Sequence, residues 1–314
     1  MTIAAVLLLY VAAVLMIGPT VLVRITAGGS APRLAITAWL TAIVTVIGCS
    51  IAVVALVLVE AAGHWDNPDE LLASCLERLR VIALGHAGGV AQVVAIAAMA
   101  FIVASLIAVI MRLNRALSRM RSDTLAHADG VRLVGRPIGS DVVIIDAPAP
   151  AAYCVAGRPP AIVVTTAALT ALDQSQLNAV IAHERAHLKG RHAYLVAAVR
   201  GLTTALPTIR LFDSAAMHVS SLLEMCADDA AARAYGRRPL LDGLLTLSGA
   251  GTPAHGLAAA AISVLARAQR LSDPPGSIAR IRSCFVLCGA VVAMSATPGT
   301  ITVLSLSGAL ICFA

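Results

Sequence analysis

The chain has 314 residues, of which 59% are hydrophobic and only 13% are charged. Soluble domains carry roughly 25% charged residues, so this composition indicates that much of the chain lies in lipid. The net charge of +6 comes almost wholly from arginines beside apolar segments, which excludes a nucleic-acid-binding face and favours a role in membrane topology. Seven scattered cysteines without a CxxC pair exclude a disulfide framework and a thiolate zinc site.

Four apolar segments approach the ~20 residues needed to cross a bilayer. The loops after the first and third segments, and the stretch before the fourth, carry arginine, whereas the loop at 60–89 is rich in acidic residues. The positive-inside rule then places the domain between the third and fourth spans in the cytoplasm and both termini outside. The predicted spans are residues 3–23, 34–59, 90–111 and 284–306.

The predicted fold class is mainly α: a polytopic α-helical membrane protein of about four spans with a cytoplasmic α+β domain. Residues 1–111 form three transmembrane helices with the external loop 60–89, in which residues 68–84 have amphipathic helical spacing. Residues 112–283 form the cytoplasmic domain. Residues 284–314 form the fourth span and a short external tail.

Within the cytoplasmic domain, the apolar stretches 141–146 and 161–165 are typical of short strands, separated by proline- and glycine-rich turns. Asp173 opens a capping box with Gln176 and so marks the start of a helix. The segment 193–206 is short for a span and contains Arg200, which favours a buried or membrane-surface helix. Two further helices are predicted at 214–235 and 257–271.

The helix after Asp173 contains His183-Glu184-Arg185-Ala186-His187. Histidines four residues apart lie on one face of a helix, one turn from each other, where both imidazoles can bind one zinc ion. Zinc acidifies water, and a carboxylate at Glu184 can take the proton and pass it to a leaving amine. This HExxH pattern is a metallopeptidase signature and predicts a zinc-dependent endopeptidase.

A zinc site with three protein ligands needs one more donor. Across residues 112–283 the only glutamates are Glu184 and Glu224, so Glu224 is the predicted third metal ligand. Asp228 follows one helical turn later and is predicted to accept a hydrogen bond from a ligand histidine.

His192 is a competing third ligand, because Gly190 and His192 partly match the longer HExxHxxGxxH pattern of the metzincins. The last histidine comes one residue early, which favours a surface position or a position behind the ligands. Spacing does not choose among the candidates for stabilising an oxyanion, which are Tyr153, His218, Arg233 and Tyr235.

The two motifs, with three spans before the domain and one after it, resemble the BlaR/MecR-type antirepressor metallopeptidases, which are gluzincins. The resemblance implies His183, His187 and Glu224 as zinc ligands, Glu184 as base and Asp228 as the residue that orients a ligand. The segments 153–157 and 161–165 also resemble the strand that gluzincins place beside the cleft, where it binds an extended substrate by strand addition.

This resemblance implies a regulatory enzyme of the cell membrane, activated by a signal, whose protein substrate is a winged-helix repressor similar to BlaI or MecI. The large external penicillin-binding sensor of that family is not expected here, so β-lactam sensing is not carried over. An alternative enzyme is a quality-control protease of the HtpX/CAAX-processing type. A non-catalytic signalling protein of the membrane is the alternative from another class, although the intact Glu184 speaks against it.

Overall fold

A computed structural model describes residues 2–63, 88–249 and 257–306. The amphipathic segment predicted at 68–84, most of the loop 60–89 and the tail after residue 306 lie outside these residues. The described chain is mostly helical with one small sheet, as the sequence predicted in outline. The helices before the sheet are α1 (Thr2–Thr26), α2 (Pro32–Gly63) and α3 (Gly88–Val134).

The strands are β1 (Arg136–Ile138), β2 (Val142–Ile145), β3 (Ala152–Val155) and β4 (Ala161–Thr165). The helices that follow are α4 (Thr166–Ala171), α5 (Gln174–Lys189), α6 (His192–Ala205), α7 (Arg210–Tyr235), α8 (Arg237–Gly249), α9 (Leu257–Ser272) and α10 (Ser277–Leu306). Strand β1 and the helices α4 and α8 were not predicted from the sequence.

Three of the described helices are long and apolar enough to cross a membrane, namely α1, α2 and α10. They pack on one another, and the hydroxyl of Tyr10 donates a hydrogen bond of 2.9 Å to the carbonyl of Met294 between α1 and α10. A helix satisfies its backbone hydrogen bonds internally, which is why apolar helices of this length are stable in lipid. The last of these helices begins at Ser277, seven residues before the predicted boundary.

Helix α3 contains the segment predicted as the third span and continues without a break into the domain that follows. Most side chains between residues 88 and 102 lie outside the described part of the chain, so this span stays a prediction.

The sheet has the order β1-β2-β4-β3, with β2 and β4 parallel and the two outer pairs antiparallel. All five residues of β4 are buried, whereas β3 lies at the edge of the sheet beside α5. Of the two segments expected to line the cleft, only β3 can therefore add a substrate strand, because both edges of β4 are already paired.

A single apolar core joins the spans to the domain. It contains Trp39 of α2 together with Leu211, Phe212 and Val219 of α7, all buried. Helix α7 also packs on α5. Helix α7 therefore contacts both the candidate spans α1 and α2 and the helix α5, which carries two of the predicted metal ligands.

Candidate metal centre

Hydrogen bonds hold helix α5 at its N-terminus, through Asp173, and on one face, through Arg185. The Asp173 carboxylate accepts hydrogen bonds from the N–H groups of Ser175 and Gln176, while the Gln176 side chain accepts one from the N–H of Asp173, which is the predicted capping box. The guanidinium of Arg185 donates two hydrogen bonds of 2.7 and 2.9 Å to Asp141, which precedes β2. The His183-to-His187 turn is thereby held against the sheet.

The three predicted metal ligands come together. The Nε2 atoms of His183 and His187 lie 3.1 Å apart, and each is 3.4 Å from a carboxylate oxygen of Glu224. Ligand atoms arranged tetrahedrally at the usual zinc distances lie about 3.3–3.4 Å from one another. The donor set and its spacing therefore fit a zinc ion, with Glu224 supplied by α7.

A largely buried arginine, with its side chain 12% exposed, contacts both carboxylates beside His183. Arg267, on α9, donates two hydrogen bonds of 2.8 and 2.7 Å to Asp228 and lies 3.0 Å from Glu224. Arg267 was not singled out from the sequence. The pattern that could have identified it is the pair Arg267 and Arg270 in an otherwise apolar helix, because charged side chains on an apolar face need partners of opposite charge.

Asp228 lies behind His183. Its side chain is 1% exposed, and Oδ1 is 3.1 Å from Nδ1 of His183, at an angle poorer than that of an ideal hydrogen bond. Burial opposes ionisation, but Arg267 and His183 lower the pKa of Asp228. Asp228 is thus a carboxylate that can fix the tautomer of His183, the position its predicted role requires.

The electrostatics of the metal-free centre follow from these contacts. Burial favours neutral His183, yet Asp228 and Glu224 outweigh it and raise the pKa of His183 to about 9. Burial also opposes ionisation of Glu224, but the two histidines and Arg267 lower the pKa of that carboxyl far below its usual range. Metal binding must therefore release a proton from His183.

His192 is not one of the converging donors. Its Nδ1 lies 2.9 Å from Nδ1 of His187, so it contacts the nitrogen that faces away from Glu224. Burial and the neighbouring His187 lower the pKa of His192 to about 4, which keeps it neutral at pH 7. Gly190 makes this contact possible, because a Cβ there would lie 2.3 Å from Nε2 of His192. The geometry disfavours the metzincin-like alternative.

Glu184 faces the edge strand. Its carboxylate accepts a hydrogen bond from the backbone N–H of Cys154 in β3, and burial raises its pKa. A raised pKa suits a base that must later act as an acid. Burial and the nearby Glu184 raise the pKa of the Cys154 thiol to about 12, so this cysteine stays a neutral thiol.

A cleft opens beside the three converging side chains. A cavity of about 400 Å³ reaches His187, His192 and Glu224 and lies between α3, β3, α6 and α7. A second cavity of about 190 Å³ continues along α3 and α6, with Met120 lining both. Together they form a groove, called here the peptide groove, that leads to the centre.

The four oxyanion candidates lie elsewhere. Tyr153 contacts His127, with 3.2 Å between the hydroxyl and Nε2, and His218 stacks on Trp39. Arg233 lines a different cavity, and Tyr235 is exposed. The structure therefore gives none of them contact with the centre in the described part of the chain.

Comparison with known proteins supports the same chemistry. Residues 123–272 match the model of Peptidase family M48. No curated protein and no solved structure matches the chain. The family match indicates a peptidase of a membrane-associated, typically metal-dependent kind, and the matched residues include the whole centre.

Proposed function

We propose that this chain is a zinc-dependent endopeptidase of the membrane, with His183, His187 and Glu224 as metal ligands. The convergence of these three side chains at tetrahedral spacing is the observation that carries the proposal. When bound, zinc would polarise the scissile carbonyl and acidify a water molecule.

The protein's own groups then divide the work. Glu184 removes a proton from the attacking water and delivers it to the leaving amine. The N–H of Cys154 orients this carboxylate. Asp228 and His192 hold the outer nitrogens of the two ligand histidines, and Arg267 keeps Glu224 and Asp228 ionised and in place.

The substrate is a protein segment in an extended conformation. The free edge of β3 borders the centre, and an extended peptide can add there as a further strand. Three arginines line the peptide groove, Arg121, Arg158 and Arg200, and among the described residues that line it Glu224 is the only carboxylate. Segments with acidic side chains near the scissile bond are therefore the favoured substrates.

The cellular role proposed is regulatory cleavage of a winged-helix repressor in the cytoplasm, with the termini and the loop 60–89 outside. The support for it is the order of spans and domain, together with the core that joins α1 and α2 to α7. A signal received by the spans or by the loop 60–89 would reach Glu224 through that core.

Glu184→Gln tests the function. The variant should bind zinc to the same stoichiometry as the wild type and lose proteolysis, because only the proton carrier is removed. Zinc content is measured by metal analysis, and cleavage is measured with the full-length protein in detergent. Retained cleavage would overturn the mechanism. Glu224→Ala serves as the contrasting variant and should lose zinc as well as activity.

Comparative proteomics of cells with wild-type or Glu184→Gln protein tests the cellular role. One transcriptional regulator that accumulates uncut would support regulatory cleavage. Stabilisation of many membrane proteins would instead identify a quality-control protease, and unchanged proteomes would favour a non-catalytic role.

A further inference from the structure

A third cavity, of about 690 Å³, lies where the candidate spans α1, α2 and α10 meet the helices α7 and α8. It is bounded by the loop between α1 and α2, the second half of α7, the start of α8 and the start of α10. None of its lining residues lines the peptide groove. Its volume is in the range of small-ligand sites. We call it the interface cavity.

Four arginines from distant parts of the chain converge on the interface cavity: Arg33, Arg233, Arg237 and Arg280. Across the described residues none of them forms an ion pair. The one carboxylate in the lining, Asp229, is already neutralised by two hydrogen bonds of 2.8 and 2.9 Å from Arg270. The cavity therefore carries a surplus of about four positive charges. All four arginines are exposed, so water screens their mutual repulsion, but an anion in the cavity would be attracted by all four.

Membrane topology alone does not account for this convergence. A positive-inside signal requires arginines near the ends of spans, which Arg33 and Arg280 satisfy, but it does not require residues of the folded domain to face them. Arg233 and Arg237 come from α7 and the start of α8 and line the same cavity. One guanidinium group can donate two parallel hydrogen bonds to two phosphate oxygens, so these four arginines suit a phosphate ligand.

The position of the cavity favours a lipid phosphate over a soluble phosphate as its ligand. Arg33 lies at the start of one candidate span and Arg280 in the first turn of another, which is the level at which lipid phosphates lie. Beside Arg280, the apolar side chains of Ile278, Ile281 and Phe285 are 82%, 56% and 76% exposed. An acyl chain would cover such a surface, and a free phosphate would not.

We propose that the interface cavity binds the phosphate headgroup of an anionic membrane lipid. Basic pockets next to transmembrane helices are suited to this ligand. The site is separate from the peptidase chemistry, and its existence does not depend on the proposed function. Since Asp229 and Arg233 follow Glu224 on α7, a bound lipid would brace the same helix that holds the predicted third ligand.

The test uses the full-length chain in a non-ionic detergent, titrated with phosphatidylglycerol or phosphatidylcholine in mixed micelles. The readout is the rise in Tm and the lipid concentration that gives half of it. Phosphatidylglycerol should raise the Tm of the wild type, and phosphatidylcholine should not. In the variant Arg237→Gln/Arg280→Gln the half-point should move to roughly 10- to 30-fold higher lipid.

The matched control is Arg238→Gln/Arg282→Gln. It removes the same charge from the same two helices, but neither residue lines the cavity. This control should respond to phosphatidylglycerol as the wild type does. Equal weakening in both double variants would overturn the proposal, because it would show a diffuse surface effect. An equal response to the two lipids would overturn it as well.

Inorganic phosphate distinguishes the two sources of the ligand. A rise in Tm with inorganic phosphate alone, as large as that with phosphatidylglycerol, would show a site for a soluble anion and overturn the lipid assignment. Should Arg237→Gln/Arg280→Gln fail to fold, the single variants Arg33→Gln and Arg280→Gln are titrated in its place. Each should shift the half-point about 5-fold, and an unchanged half-point in both would contradict the proposal.

Discussion

His183 and His187 lie one turn apart on α5 and face the same carboxylate, yet their outer nitrogens meet different partners. Nδ1 of His183 faces Asp228, which is 1% exposed and held by two hydrogen bonds from Arg267. Nδ1 of His187 faces His192, a neutral imidazole at the wall of the peptide groove. The outer nitrogen of His183 therefore contacts a buried, charged side chain, whereas that of His187 contacts a neutral side chain beside the groove.

The two sides of the centre should therefore respond differently to substitution. Removing one member of a buried charge network leaves the remaining charges less fully paired, which is costly. A neutral imidazole leaves no unpaired charge when it is removed, so we expect substitutions on the His187 side to cost less.

Asp228→Asn should have the largest effect. The variant keeps the shape of the side chain but leaves Arg267 with Glu224 as its only remaining carboxylate partner among the contacts described. We expect a loss of about 3 kcal/mol in the free energy of unfolding, measured by denaturant unfolding in detergent. Asp229→Asn is the control, because the Asp229 side chain is 30% exposed against 1% for Asp228, whereas their arginine partners Arg270 and Arg267 are similarly exposed, at 9% and 12%. An equal loss in both variants would show that burial does not set the size of the effect.

The pH dependence of zinc binding should be set by His183, the ligand histidine whose outer nitrogen faces the charged Asp228. The pKa of His183 is raised to about 9 in the metal-free protein, so zinc must displace a proton at neutral pH. The apparent zinc affinity should rise about 10-fold per pH unit between pH 6 and 8, measured by competition with a chelator. In Asp228→Asn this slope should flatten. A pH-independent affinity in the wild type would contradict the assignment.

The raised pKa of His183 also makes the stability of the metal-free protein depend on pH. A histidine whose folded pKa exceeds its unfolded value contributes stability below the unfolded value, and this contribution is lost as pH rises through about 9. The metal-free protein should therefore lose stability between pH 7 and pH 9. With zinc bound, His183 carries no titrating proton and this loss should disappear.

Much of this centre could be predicted from the sequence, because its ligands lie on helices with strong local signals. The Asp173 capping box and the four-residue spacing of His183 and His187 are local patterns, and α5 forms as they predict. Glu224 could be chosen because glutamate is scarce in the domain. These inferences needed no knowledge of long-range packing.

Arg267 and the role of His192 could not be predicted in this way. Arg267 meets Asp228 from a helix 39 residues further along the chain, and only tertiary packing brings them together. His192 reaches His187 because the chain turns at Gly190 and Arg191, the latter with a φ of 51°. Spacing alone left two positions open for the imidazole, at the surface or behind the ligands, and it did not identify the contact with His187.

His192→Ala should have a smaller effect than Asp228→Asn. Zinc should still bind to full stoichiometry, but its affinity should fall roughly 10-fold, because His187 loses the group that holds its outer nitrogen. Gly190→Ala should produce a similar loss, since its Cβ would displace the ring of His192. A loss of zinc stoichiometry in His192→Ala would instead make His192 a ligand.

Arg185→Ala should have the smallest effect, although it breaks a pair with the same bidentate geometry as Arg267–Asp228. The side chains of Arg185 and Asp141 are 37% and 29% exposed, so water screens the pair and we expect a loss of only about 0.5–1 kcal/mol. Hydrogen bonding to Arg185 lowers the pKa of Asp141, so the contribution is present above about pH 4 and is lost below it. The difference in Tm between wild type and variant should therefore shrink at acid pH. A loss as large as that in Asp228→Asn would mean that geometry, rather than burial, governs how strongly these ion pairs hold the centre.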